Sequence, residues 1–415
     1  MEAERPGAAD ARRPMWANMR RSHVVPPRFA THVTAERETT RARLQAEARD
    51  FARAEVDPVA DELDPVKGDI PDALVDKLAE RGWFGIMVDR EHGGLGLGVF
   101  EYCTVAEELS RAWMSVASVI ARGQGLGTGV ADGGRRDELL RRSAAGRWIG
   151  GVAFSEAEAG SDLAGVSCEA VRDGDDFVVN GEKRWCGWAL AADFILLLAR
   201  TGEDRIRGLE TFVVPKPRGE FPAGVTGEVI PKIGYHGITS WTLRFEDVRV
   251  PAADMLVSEE GTGGGFYDTV SFLNVARIHT AARAVGAAQA ALDEATAYAK
   301  QRVQFGRPIS EFQAIRFKLA DMATGIEAAR RLWHHAAELF DSGARCEKEC
   351  SMAKLFASEM AERMTSEALQ ILGGNGYTTD YRVERHWRDA RLTKIFEGTS
   401  EIQRTIISSR HLEDA

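Results

Sequence analysis

The chain changes its residue pattern twice along its length. Between about residues 148 and 255, short runs rich in Val, Ile, Phe and Trp are separated by Gly, Asp and Pro, and Trp241, Leu243 and Phe245 alternate with polar residues. Such alternation predicts β-strands, whereas the flanking stretches carry apolar residues at the three and four spacing of helices. The order is therefore helical, then β, then helical. A chain of 415 residues has room for two or three domains of about 150 residues each.

Two helices are predicted before the β region. Asp69 and Pro71 precede the periodic segment ALVDKLAER, and Gly82 follows it as a stop signal. A second, long helix is expected to begin at Glu101, in the segment EYCTVAEELSRAWMSVASVIA. Both have one apolar face that needs a packing partner.

The last third of the chain predicts a helical bundle. From Phe312 to Phe340 apolar residues recur at three and four spacing, a stripe typical of helices in an antiparallel bundle. Another helix carries Phe356, Met360 and Met364 and is expected to end at the two glycines that begin at residue 373. We predict a loosely ordered arm over residues 1–35, a helical domain over 36–147, a β domain over 148–258 and a helical bundle over 259–415.

Charge and cysteine content exclude several classes of protein. The net charge is −10 and the pI is about 5.6, which argues against nucleic acid as a partner. The five cysteines are odd in number and scattered, which favours a reducing compartment. No stretch of about 20 apolar residues and no leader-like segment is present, so we expect a cytoplasmic protein without membrane contact. Cys346 and Cys350 share a helix face but lack a histidine pair, so no metal site is predicted.

Three segments contain residues suited to ligand binding, and each also has an ordinary structural explanation. GVAFSEAEAGSDLAG, starting at Gly151, would let backbone N–H groups approach a flat or anionic ligand, but taken alone the segment is more typical of an ordinary polar loop. In NGEKRWCGW, Asn180-Gly181 is a hairpin signal. Trp185, at the start of a strand, is either core or an indole face for a ring system. Arg302, near a loop between helices, suits phosphate binding or is simply solvated.

Taken together, these segments resemble the acyl-CoA dehydrogenase family over essentially the whole chain beyond the N-terminal arm. The upstream part of the match includes AGSD at 159–162, Trp185 and FEDVRVP at 245–251. The most specific part lies near the end of the chain and comprises Gln370, Gly373, Gly374, Gly376, Tyr377, Asp380, Glu384, Arg388, Asp389, Arg391, Gly398, Thr399, Glu401, Ile402, Gln403 and Arg404.

The resemblance implies a fold, a cofactor and partners. The fold is mostly α with a central β domain: an N-terminal helical domain, a middle β-barrel or sandwich domain and a C-terminal four-helix bundle. The cofactor is FAD, held in a homotetramer built as a dimer of dimers. The substrate is an acyl-CoA thioester, and the electron acceptor is an electron-transferring flavoprotein.

The resemblance also implies roles for individual residues. Glu397, between Phe396 and Gly398, takes the position of the catalytic base. Residues implied to contact FAD are Phe154, Ser155, Trp185, Gly187, Arg302, Phe305, Gln313, Gln370, Gly373, Gly374, Thr399 and Glu401, and those from Arg302 to Gly374 would bind the ADP part across a dimer interface. Residues implied to line the thioester channel are Ser161, Asn274, Arg277 and Gly398.

The implied reaction explains why a carboxylate is needed. An α-hydrogen of a thioester is weakly acidic, so the base must act in a site that excludes water. The β-hydrogen leaves as hydride to the flavin, and the product is a trans-2-enoyl-CoA. Donors for the enolate oxygen are the N–H of the base residue and a flavin hydroxyl. Some relatives carry the base just before Arg277, but Ala276 stands there, so Glu397 is the one candidate.

Two departures from the family pattern leave alternatives open. Gly187 stands where the family usually has Thr or Ser, whose hydroxyl bonds near flavin N5, and Ala157 replaces a common proline. The missing hydroxyl motivates an oxygen-using relative, an acyl-CoA oxidase or monooxygenase, as an alternative to the dehydrogenase. A non-catalytic protein that binds flavin or an acyl carrier is a third possibility.

Overall fold

The described chain consists of helices, then a sheet, then helices. A computed structural model describes residues 35–257 and 265–414, so the predicted arm lies almost wholly outside the described residues. The helices before the sheet are α1 (Ala35–Phe51), which continues as a π-helical turn (Ala52–Val56), α2 (Asp57–Leu63), α3 (Asp72–Glu80), α4 (Val99–Ala112), α5 (Met114–Ile120) and α6 (Gly133–Ala144).

The sheet and the second set of helices follow. The strands of the sheet are β1 (Gly150–Ala153), β2 (Glu169–Asp173), β3 (Asp176–Gly187), β4 (Phe194–Arg200), β5 (Leu209–Pro215), β6 (Val225–Val229) and β7 (Ser240–Pro251). The later elements are α7 (Gly265–Gln301), the short strands β8 (Val303–Gln304) and β9 (Arg307–Pro308), α8 (Gln313–Asp341), α9 (Glu347–Leu372), α10 (Val383–Leu392) and α11 (Ser400–Asp414).

Local signals fix several helix ends. Pro71 is extended and precedes the first residue of α3, and Gly82 adopts a left-handed φ of +72° just after that helix, as predicted. The helix α9 ends at Leu372, and Gly373 follows with φ +63°. The stripe predicted between Phe312 and Phe340 is the buried face of α8, in which the Trp333 side chain is fully buried.

The long helix predicted from Glu101 is wrong, because the chain breaks at Trp113. This residue is extended, so α4 and α5 are separate helices. The break turns the buried indole of Trp113 towards Gly237, where an added Cβ would lie only 2.6 Å from the ring. In α9, Met360 and Met364 are buried as expected, but Phe356 is 42% exposed and does not belong to the core.

The strands form one seven-stranded sheet. The order is β1-β4-β2-β3-β7-β6, with β5 also paired to β4, and β1 and β2 run parallel to β4. The Asn180-Gly181 hairpin prediction is wrong, because both residues lie inside β3 at a β-bulge opposite β7. The bulge brings the Gly181 backbone against Cys168, where an added Cβ would lie 2.7 Å from Cα. The Asn180 side chain bonds instead to Asp247.

One apolar core joins the helices before and after the sheet. Buried side chains of α1, α3, α4 and α5 pack with those of α7, α8 and α9, while the sheet has its own core around residues such as Phe212 and Leu243. Gly286 of α7 faces the backbone of α4, which leaves no room for a side chain there. Within the described ranges, no helix is long and apolar enough to cross a bilayer.

Candidate active site

Glu397 lies in the turn that connects α10 to α11 and has a strained backbone. Its φ is +55°, and that of the following Gly398 is +87°. A left-handed conformation is ordinary for glycine but costs a glutamate of the order of 1 kcal/mol, so the surroundings must hold it. Such strain concentrates at functional sites. The turn fixes the direction in which the Glu397 side chain leaves the backbone.

Two buried side chains hold this turn. The Gln403 amide Nε2 donates to the carbonyl oxygens of Glu397 and Gly398, at 3.3 and 3.0 Å. The Lys354 amine, on α9, donates to the Gly398 carbonyl at 2.6 Å. Both Gln403 and Lys354 are fully buried. A Cβ on Gly398 would lie 2.6 Å from Gln403 Nε2, so the close approach requires glycine there.

Sequence reasoning missed Lys354, although its position carried a signal. Ala353, Ala357 and Ala361 place it on the buried face of α9. A lysine on such a face needs a polar partner, because burial disfavours the charged amine. Burial lowers the pKa of Lys354 from 10.5 to about 7, and the Glu397 carboxylate opposes that shift.

Aromatic and basic side chains surround the Glu397 turn. The Arg283 guanidinium lies 4.8 Å from the centre of the Phe396 ring, and the Tyr235 ring meets Phe396 edge-on at 5.8 Å. Arg283 is buried on α7 and donates to hydroxyl groups, including Ser118 at 2.5 Å and Tyr235 at 3.3 Å. These contacts pack Phe396, the residue before Glu397, against Arg283 and Tyr235.

The predicted thioester residues lie along α7 and the loop beside it. Arg277 is buried, donates to the Asn274 side chain at 2.7 Å and interacts electrostatically with Glu397. Burial lowers the pKa of Arg277, and the Glu397 carboxylate works against that shift. Ser161 is exposed in the loop after β1, and Leu163 of that loop packs against the same apolar cluster as Leu273 of α7. Asn274 and Arg277 thus lie together on α7, with Arg277 within electrostatic range of Glu397.

The loop that carries Phe154 and Ser155 is attached to β3 by a buried ion pair. Lys183 donates to the Phe154 carbonyl at 3.1 Å and to the Glu156 carboxylate at 2.8 Å. The backbone N–H of Arg184 donates to the Ser155 carbonyl at 2.8 Å. Because Lys183 and Glu156 are both buried, this pair is not a surface salt bridge, and it fixes the orientation of the loop.

The prediction that Trp185 lies at the start of a strand is wrong, because the residue lies near the end of β3. The residue has φ +67° and is 55% exposed, which is unusual for a tryptophan and leaves a flat apolar face for a ring system. Gly187, two residues on, pairs with Ser240 of β7. An added Cβ at Gly187 would lie 3.0 Å from Arg122 Nη2.

A second group of predicted cofactor residues forms an exposed patch elsewhere. Arg302 precedes the β8–β9 hairpin, Phe305 at its tip is 92% exposed with φ +50°, and Gln313 begins α8. The Tyr298 hydroxyl, one turn before Arg302, accepts from Asn375 Nδ2 at 2.8 Å. This bond ties the hairpin to the end of α9, where the remaining residues of the patch are Gln370, Gly373 and Gly374.

The two groups fit different parts of a dinucleotide. Nothing lies within 4 Å of an added Cβ at Gly373 or Gly374, so the surface there is open to a ligand, although the Gly373 N–H already donates to the carbonyls of Leu369 and Gln370. Arg302 forms no ion pair among the described residues, which leaves its guanidinium available to an anion. The exposed indole of Trp185 suits a planar ring. Thr399 caps α11 by accepting from the Ile402 N–H at 3.3 Å, and Glu401 is exposed beside it.

Models of three protein-family domains match nearly all of the described chain. The acyl-CoA dehydrogenase N-terminal domain matches residues 38–145, the middle domain residues 151–248 and the C-terminal domain residues 263–412. Among individual proteins, an acyl-CoA dehydrogenase of Bacillus subtilis (strain 168) is 40% identical over 382 residues, which are 91% of this chain and 98% of that protein.

Solved structures give the same result for the fold. A chain from a study of the electron transferring flavoprotein of Acidaminococcus fermentans superposes with a TM-score of 0.86 at 34% identity, over 93% of this chain and all of that one. The butyryl-CoA dehydrogenase of Megasphaera elsdenii superposes with a TM-score of 0.85 at 33% identity, over 92% of this chain and all of that one. The predicted fold class is confirmed.

Proposed function

Because the chain belongs to the acyl-CoA dehydrogenase family, FAD-dependent oxidoreductases that act on acyl-CoA, we propose that it oxidises the α,β carbon–carbon bond of an acyl-CoA thioester to a trans-2-enoyl-CoA. Glu397 is the base in this proposal. The observation that carries it is the strained turn at φ +55°, held by two buried side chains and facing Arg277. The non-catalytic alternative is set aside, because the family consists of oxidoreductases.

Glu397 takes the α-proton of the substrate. Its rigid turn holds the carboxylate in one direction, which lowers the entropy cost of proton transfer. The Glu397 backbone N–H has no carbonyl partner in the described part of the chain. It is therefore free to donate to the thioester oxygen as negative charge develops there.

Bound FAD would supply the acceptor for the hydride that leaves the β-carbon. We assign its ring to the face formed by Trp185, Phe154, Ser155 and Gly187. We assign the ADP part of FAD to the exposed patch, whose residues are Arg302, Phe305, Gln313, Gln370, Gly373 and Gly374. Thr399 and Glu401 are proposed to lie close to the cofactor. We propose that the cofactor is shared between two subunits of a homotetramer, a proposal supported by the exposure of Phe305 in the patch.

The thioester lies between α7 and the Glu397 turn in this proposal. Asn274 and Arg277 contact the thioester from α7, and Ser161 contacts it from the adjacent loop. Gly398 has no side chain, which leaves space for the thioester beside the base. We propose electron-transferring flavoprotein as the acceptor, supported by the similar chain in the Acidaminococcus fermentans study. The acidic, cysteine-poor composition supports a cytoplasmic location.

An anaerobic titration with acyl-CoA thioesters tests the proposal. We expect bleaching of the oxidised flavin absorbance by at least one acyl class, and we expect Glu397→Gln to reduce the bleaching rate by roughly 1000-fold or more, because the amide cannot take a proton. Glu203→Gln, in an exposed turn between β4 and β5, is the matched control. Bleaching by Glu397→Gln at the wild-type rate would remove Glu397 from the role of base.

A second candidate, an oxygen-using enzyme of the same fold, is favoured by one observation. Gly187 has no hydroxyl to donate beside the proposed flavin ring. Mixing substrate-reduced enzyme with air-saturated buffer separates the two functions. Reoxidation within seconds favours the oxygen-using enzyme, whereas reoxidation only after addition of electron-transferring flavoprotein favours the dehydrogenase.

A further inference from the structure

Arg122, just after α5, has a guanidinium without an acidic partner. Its Nη1 donates to the Gly150 carbonyl at 3.1 Å. Its Nε is buried with no hydrogen-bond partner, and its Nη2 donates to no acceptor in the described part of the chain. No carboxylate of residues 35–257 or 265–414 lies within ion-pair distance. The edge formed by Nε and Nη2 is the one that binds a carboxylate with two parallel hydrogen bonds.

Gly187 makes room for this guanidinium. The 3.0 Å between an added Cβ at Gly187 and Arg122 Nη2 is tighter than an ordinary van der Waals contact, so with Thr or Ser at position 187 the guanidinium would have to shift by a few tenths of an ångström. The absence of a side chain at position 187 thus fits the presence of Arg122. Compared with the usual family pattern, this chain has a positive charge at the end of β3 in place of a neutral hydroxyl donor.

Arg122 lies within electrostatic range of Glu397. Its charge interacts with Tyr235, Glu397 and Arg283, and its side chain lies deep in the protein yet is not wholly closed to solvent. Arg277 and Arg283 are also buried without an ion-pair partner among the described residues. Arg122, Arg277 and the Lys354 amine thus all interact electrostatically with one carboxylate, that of Glu397. Buried charges of one sign are costly unless a ligand of opposite sign is bound.

We propose that Arg122 binds a carboxylate on the acyl chain, so that the preferred substrates are mono-CoA thioesters of short dicarboxylic acids. The inference rests on the proposed function and names the substrate class of that site. The free Nε and Nη2 edge favours a planar carboxylate over a hydroxyl or amide. A short chain follows because Arg122 and Glu397 lie close enough to interact, and Glu397 must reach the α-carbon next to the thioester.

Matched pairs of thioesters test the inference. Glutaryl-CoA and valeryl-CoA have equal chain lengths and differ in the terminal carboxylate, as do succinyl-CoA and butyryl-CoA. We expect the wild-type enzyme to bind and oxidise the acidic member of at least one pair better. In Arg122→Met the ratio of kcat/KM values, acidic over neutral, should fall by roughly 100-fold, because one partner of a buried charge pair is removed. Arg122→Lys should retain part of the preference.

The design separates failure of this inference from failure of the proposed function. Calorimetric titration gives the Kd ratio of each pair without turnover, so the preference is measured even if no thioester bleaches the flavin. A wild-type enzyme that binds valeryl-CoA better than glutaryl-CoA, and butyryl-CoA better than succinyl-CoA, overturns the inference. So does an Arg122→Met enzyme that loses activity equally on both members, which would assign Arg122 to the flavin or the fold. The control is Arg331→Met, an exposed arginine on α8.

Discussion

At the residue scale, the proposed base could be predicted from the sequence, but the residues that hold its turn could not. Glu397 is recognisable from its motif, but nothing local to it indicates Gln403 or Lys354 as the groups that hold its carbonyls. Lys354 lies 43 positions before Glu397 in the chain. Arg122 was equally hidden, because only the fold places it beside Gly187. Contacts between distant positions, rather than residue types, were the missing information.

Lys354 should impose a pH dependence on stability. Its pKa falls from 10.5 in the unfolded chain to about 7 in the fold because of burial. Between these values the unfolded chain binds one more proton than the folded protein, so the free energy of unfolding rises with pH across this window. We expect Lys354→Met to remove part of that rise, measured by thermal unfolding between pH 7 and 9.

The Lys354 variant also separates positioning from folding. Its kcat should fall, because the Gly398 carbonyl loses a donor, while its flavin absorbance and content stay near those of the wild type. An exposed-lysine control, Lys300→Met, should keep the wild-type slope of stability against pH. A Lys354→Met enzyme with unchanged kcat and unchanged slope would contradict both expectations.

At the scale of elements, the start of α4 depends on a residue from α8. The Asp341 carboxylate accepts from the backbone N–H groups of Val99 and Phe100, at 2.7 and 3.3 Å, and pairs with Arg37 of α1 at 2.9 Å. The first N–H groups of a helix have no partner within the helix, so this carboxylate does the work of a cap. It also joins α1, α4 and α8 at one point.

Removing this cap should destabilise the protein measurably. We expect Asp341→Ala to lower the free energy of unfolding by about 2 kcal/mol, because two buried N–H groups lose their acceptor. Denaturant unfolding measures the change, and Asp321→Ala, exposed on the same helix, is the control. A loss no larger than that of the control would show that water replaces the carboxylate.

The sequence predicted elements best where a local signal existed. The ends of α3 and α9 followed from Pro71 and two glycines. The break at Trp113 had no local breaker, because it results from packing of the indole against Gly237. The dipeptide Asn180-Gly181 is a turn signal, but pairing of β3 with β7 overrode it and produced a bulge. Tertiary contacts decided both cases.

At the scale of the whole molecule, the order of helices, sheet and helices followed from periodicity, and the comparisons confirmed the fold class. The division of the proposed cofactor residues into two groups came only from the family resemblance, because composition and periodicity carry no record of which surfaces meet. The proposal that two subunits share the FAD site depends on the exposed Phe305 at the β8–β9 hairpin.

We expect Phe305→Asp to weaken both assembly and cofactor retention. A carboxylate cannot replace a ring that is buried between subunits, so light scattering should show a smaller species and absorbance should show less bound FAD. Val66→Asp, an exposed apolar position in the loop after α2, is the control. A variant with wild-type mass and FAD content would place Phe305 outside any interface.

The Asp341 cap has a consequence for synthesis of the chain on the ribosome. Val99 emerges 242 residues before the carboxylate that accepts its N–H. At about 5–20 residues per second, that interval lasts roughly 10 to 50 s. During this time α4 lacks its cap, and until residue 301 has been made it also lacks the complete α7 to cover its apolar surface. The period in which only the N-terminal helices have been synthesised is therefore the one in which a chaperone would cover the most exposed apolar surface.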